Sequence, residues 1–68
     1  MKAVSTTSSN ATIVVSREDL GFLQNAINET MEALDDRELR IRTGETPERA
    51  QALIDEIKAI CKAIDNHE

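Results

Sequence analysis

The residues of this chain that could do chemistry gather in two places. The first is near the C-terminal end of the sequence, where His67, the one histidine, stands close to Cys61, Asp65 and Glu68. These are metal-ligand types, but the tight Cys/His spacing of a closed site is missing. His67 therefore reads as an exposed tail residue, and no metal is expected. The second place holds Arg37, Arg40, Arg42 and Arg49, a basic cluster in an acidic chain. Guanidinium groups beside the free N–H groups of a helix N-terminus suit an anion or an acidic peptide. Asp35, Asp36, Glu38, Glu45 and Glu48 are interspersed with these arginines, and mixed exposed charge is usually a solvated surface. None of the many carboxylates sits in an apolar stretch that would raise its pKa for acid catalysis. Gly21 and Gly44 are the only glycines, so there is no phosphate-cradling loop. Neither an enzyme nor a cofactor is expected.

Sixty-eight residues make one small domain, and a chain of this size buries only about 60% of its unfolded surface. The apolar set is almost wholly aliphatic, with one Phe and no Tyr or Trp. Rings that would stack on bases, sugars or flat cofactors are therefore scarce. Eight basic and 13 acidic residues give a net charge of −5, which opposes long-range attraction to nucleic acid or anionic membrane. It suits solubility or a basic protein partner. Cys61 is the single cysteine, so no intrachain disulfide can form. On an apolar helix face it reads as core volume, since a reactive thiol wants a basic, partly open site. No apolar run approaches the roughly 20 residues that span a bilayer, and residues 1–11 lack a signal-peptide pattern. A cytoplasmic location without membrane contact is expected.

The elements that would position these residues are mostly helices. Thr46-Pro47-Glu48 opens a long one, with Thr46 as cap, Pro47 at N1 and Glu48 at the positive end of the dipole. It runs to Asn66 and collects Ala50, Leu53, Ile54, Ile57, Ile60, Cys61 and Ile64 on one wide face. A first helix starts at Ser16, with Asp19 at N3 for a capping-box variant and Val15 and Leu20 spaced as a hydrophobic staple. Its inward stripe is Leu20, Leu23, Ile27, Met31 and Leu34. Phe22 projects away from that stripe, either under an arm or connector or as an interface anchor. Gly21 leaves room for another backbone, such as the arm. Between the long helices, Asp35-x-x-Glu38 and Gly44 give start and stop signals for a short helix over Asp36–Arg42. The alternation Leu39-Arg40-Ile41-Arg42-Thr43 offers a strand instead; the helix is favoured. Thr12–Val15 is β-branched and extended, with no convincing partner strand in the chain. It either crosses the helices as an arm or pairs with its copy in a two-fold dimer.

One combination of these features has a parallel elsewhere. A T-x-V-type strand is followed by Leu23-Gln24-Asn25-Ala26-Ile27-Asn28-Glu29 and then by Glu38-Leu39-x-x-Arg42-x-Gly44-x-Thr46-x-Glu48-x-Ala50-x-x-Leu53-Ile54. This resembles small uncharacterised bacterial proteins built on an L-N-N-A-L-N-E helix and an E-F-x-x-R-x-G segment. Leu39 replaces the aromatic residue and Gln24 the first Asn. The resemblance implies a small cytosolic bacterial protein and supplies no activity and no functional residue. The same segment has a helix-turn-helix cadence, but its reading helix would bring Glu48, Asp55 and Glu56 towards phosphates, and Arg40 stands where a small residue is wanted.

The expected architecture is mainly α: an antiparallel hairpin of two long helices, a short connecting helix and a short N-terminal β-strand or extended arm. Residues 1–11 are read as a disordered tail and residues 12–68 as a single small helical domain. The expected function is a non-enzymatic, homodimerising protein–protein interaction module. Its interface would take Ile13, Val15, Phe22, Ile57, Ile60 and Ile64, and a partner or anion site would use Arg37, Arg40, Arg42 and Arg49. A DNA-binding protein and a small inhibitor or immunity-type protein with a basic partner are the alternatives; nucleic acid is disfavoured.

Overall fold

The fold is that of a computed structural model in which residues 1–67 are described. It is mainly helical. A short N-terminal hairpin, β1 (Lys2–Thr6) and β2 (Ala11–Val14), precedes three helices, α1 (Arg17–Ala33), α2 (Asp36–Thr43) and α3 (Pro47–Asp65).

Each helix starts where a side chain satisfies an orphan N–H. Ser16 Oγ accepts from the Asp19 amide at 3.0 Å, Asp35 Oδ1 from the Glu38 amide at 2.8 Å, and Thr46 Oγ1 from the Arg49 amide at 3.2 Å. Each such cap contributes about 1 kcal/mol. Both expected boxes close on one side only. Asp19 turns instead to the Met1 ammonium, 3.6 Å away, and Glu38 accepts from Arg42 Nε at 3.0 Å. The connector is a helix rather than a strand. Its C-cap, Gly44, adopts φ 76°, and the Gly44 amide donates to the Arg40 carbonyl at 2.9 Å. That left-handed geometry is open to glycine at little cost.

The core lies between α1 and α3. Leu20 packs with Ile57 and Cys61, and Val15, Leu23 and Ile27 close around them. Leu39 of α2 and Ile54 of α3 complete the buried set. The first turn of α1 is tied to the last turn of α3 by a two-pronged ion pair, Arg17 Nε to Asp65 Oδ1 at 3.1 Å and Arg17 Nη2 to Asp65 Oδ2 at 3.3 Å. The hydrogen bond and charge of Asp65 hold the Arg17 guanidinium above its ordinary pKa. Among the described residues no backbone outside α1 approaches Gly21: the nearest atom to a Cβ placed there is Arg17 Nη1 at 3.2 Å. The expectation of a close arm at that glycine is corrected accordingly.

The largest departure is at the N-terminus. Thr12–Val14 does have a partner strand in its own chain, and the partner lies inside the stretch read as a tail. β1 and β2 pair antiparallel in the register Lys2–Val14, Ala3–Ile13, Ser5–Thr12 and Thr6–Ala11, with a bulge at Val4. The loop is held by Thr7, whose Oγ1 accepts from the Ser9 and Asn10 amides at 3.3 and 2.9 Å while its own amide donates to the Asn10 carbonyl at 2.8 Å. Ser, Thr and Asn fold turns through such side-chain bonds. Of the five β1 residues only Val4 is a large apolar residue, so hydrophobic patterning gives β1 no signature.

Candidate interaction surface

On α3 the apolar residues form two stripes. Ile57 and Cys61 are buried with Leu20 of α1, with Val15 packed against the cluster, and Ile54 is buried one turn before them. Leu53, Ile60 and Ile64 fall on a second stripe, about 70° around the helix at 3.6 residues per turn. All three are exposed, Ile60 by 50%. A helix with one apolar face needs one neighbour, and a second stripe calls for another.

The same side of α1 continues this surface. Ala26, Ile27, Thr30 and Met31 of α1, Leu39 and Thr43 of α2, Glu45 of the α2–α3 loop, and Ala50 and Leu53 of α3 line a groove of about 240 Å³ whose walls are mostly apolar. Phe22 lies on that side of α1, roughly 40° beyond Ala26, and is 73% exposed. Neither the hairpin nor the connector covers it. The reverse side carries Gln24, Asn28 and Glu32 of α1 and Gln51, Asp55, Lys58 and Lys62 of α3. Its polar groups partner one another: Gln51 Nε2 donates to Asp55 Oδ1 at 3.0 Å, and Asn28 Nδ2 to Glu32 Oε1 at 3.5 Å. The chain measures only 16 Å in its shortest dimension, little more than one helix layer of about 10–12 Å. It is thus a thin layer, with more large apolar side chains exposed on one side than on the other.

The six expected interface residues divide between surface and interior. Phe22, Ile60 and Ile64 are exposed together with Leu53. Ile57 is buried in the chain's own core, and Val15 is half-buried against that core cluster. Ile13 is exposed on the hairpin, with Val4 and Val14 beside it. Val4, Val14 and Leu53 were not among the expected residues. Leu53 was legible as part of the wide face of α3, but its placement outside the core depends on how α1 docks.

The arginines are only partly assembled. Arg37 and Arg40 border one shallow depression with Asp36 and Ile41. Arg42 is paired with Glu38 four residues back, and Arg49 is on the separate first turn of α3. Beside that turn, Glu48, Gln51 and Asp55 border another depression with Met31 and Pro47. Acids there oppose a phosphate backbone. Among the described residues no three His, Cys, Asp or Glu side chains converge as metal ligands; Glu68, in the expected weak set, lies outside those residues. Cys61 is a buried free thiol. Among the described residues no helix is long and apolar enough to cross a membrane.

Comparison with protein-family models, with curated proteins and with solved structures yields no match for this chain.

Proposed function

We propose that the protein is a non-enzymatic interaction module that homodimerises through the apolar side of its α1–α3 layer. In this reading α1 and α3 form an antiparallel hairpin. Contact between Leu20 and the Ile57–Cys61 end of α3, and the Arg17–Asp65 pair, support that arrangement. The observation that carries the dimer is the second stripe on α3, Leu53, Ile60 and Ile64, lying beside an apolar groove with Phe22 at its margin. A second copy would seat the same stripe and groove against these, a self-complementary two-fold contact that completes a four-helix layer pair. A stable dimer buries about 800 Å² per partner, and the chain exposes 5513 Å² in all. The proposed contact would take about a seventh of that surface. The lone cysteine serving as core volume suits a cytosolic setting.

Sedimentation equilibrium tests this reading. The wild type is expected as a dimer at micromolar concentration, and Ile60→Glu as a folded monomer with an unchanged helical circular dichroism spectrum. A wild-type monomer, or an Ile60→Glu variant that remains dimeric, would contradict it.

A further inference from the structure

The hairpin poses a separate problem. All nine of its strand residues are exposed, including Val4 at 62% and Val14 at 61%. Neither strand packs on a helix, and its ion pair with the body runs from the Met1 ammonium to Asp19. A two-stranded hairpin with both faces in water is marginal at best; three or more strands are needed for independent stability.

Its two outer edges are not equivalent. The β1 edge carries Lys2 and the bulge at Val4, two devices that block strand addition. The β2 edge, Ala11-Thr12-Ile13-Val14, carries no charge, no proline and no bulge, and three of its four residues are β-branched. Charge singles out the same segment. Residues 1–16 contain Lys2 and no acidic residue, whereas all 13 acids follow. Two copies of an acidic chain meet least repulsion where neither brings an acid.

We propose that β2 pairs antiparallel with β2 of a second copy, giving a four-stranded sheet in the order β1-β2-β2-β1 across a two-fold axis. This deepens the homodimer reading and rests on it. The occupant is a second copy rather than an unrelated strand because the pairing closes. The edges left outside are both β1, each blocked by Lys2 and the Val4 bulge, so the sheet stops at four strands and does not propagate. An isologous contact of this kind makes a dimer and not a fibre.

A two-fold axis normal to the sheet sets one β2 residue opposite its own copy, with Cα atoms about 4.5–5.5 Å apart, within reach of a disulfide. The test places single cysteines in a Cys61→Ala background: Ala11→Cys, Thr12→Cys, Ile13→Cys and Val14→Cys along β2, and Val4→Cys on β1. Under mild oxidation one β2 variant is expected to form covalent dimer at least tenfold faster than Val4→Cys. In parallel, amide exchange in the wild-type dimer is expected to show all of β2 protected, where a lone hairpin protects only its inward-facing amides. Should the wild type be a dimer while no β2 variant cross-links and alternate β2 amides exchange freely, the sheet proposal falls and the helical-face dimer stands. Cross-linking through Val4→Cys as fast as through β2 also overturns it. A wild-type monomer removes both.

Discussion

The hairpin and the helical body are held by different forces. In the body, α1 and α3 bury Leu20, Ile57 and Cys61 against each other, and three caps and a Gly44 stop fix the helix ends. Its order is underwritten by apolar burial within one chain. The hairpin buries no side chain, and ladder hydrogen bonds and the Thr7 loop are its local support. The body also keeps one apolar side uncovered. In the proposed dimer a second copy would cover both, the body through its surplus stripe and the hairpin through its open edge.

Substitutions can break or sharpen that contrast. The largest effect is expected in the body: Ile54 is 2% exposed, and Ile54→Ala should lower the unfolding free energy by about 2–4 kcal/mol. Urea denaturation followed by helical circular dichroism reads that loss. Ile13→Ala, on an exposed position, should change the same midpoint far less at concentrations where the chain is monomeric. Next is the C-cap. Gly44→Ala forces a side chain into φ 76° and should cost about 1 kcal/mol, read as a lower thermal midpoint. Thr46→Ala, removing the cap of α3, should cost a similar ~1 kcal/mol. Gly21→Ala has the opposite sign. The atom nearest the new methyl is Nη1 at the end of the long Arg17 side chain, at 3.2 Å; a small shift there disturbs only an exposed pair with Asp65, so the helix gains up to about 1 kcal/mol. The smallest effect is expected at the Arg17–Asp65 pair. Both side chains are about half exposed, where water and salt screen the interaction. Arg17→Ala should leave the thermal midpoint nearly unchanged in physiological salt.

The body was more legible in the sequence than the hairpin. Ser16, Asp35 and Thr46 announced the three helix starts, Gly44 announced a stop, and the 3.6-residue spacing of Leu20, Leu23 and Ile27 announced the core side of α1. These signals are local and chemical, so a single chain displays them. β1 had no such signal. Lys2-Ala3-Val4-Ser5-Thr6 buries nothing, and its partner is set by a loop in which Thr7 folds back on Ser9 and Asn10. Of the surface, Phe22, Ile60 and Ile64 could be read from the helical wheel. Assigning Ile57 and Val15 to the interior and Leu53 to the surface required the docking of α1, a tertiary fact that periodicity alone does not contain.

The central claim is that one chain leaves its apolar side for a second copy. Sedimentation equilibrium at micromolar concentration tests it most directly. The account predicts twice the 7.5 kDa chain mass, falling to the single-chain mass in Ile60→Glu. A wild-type chain that stays at the single mass across that range would contradict it.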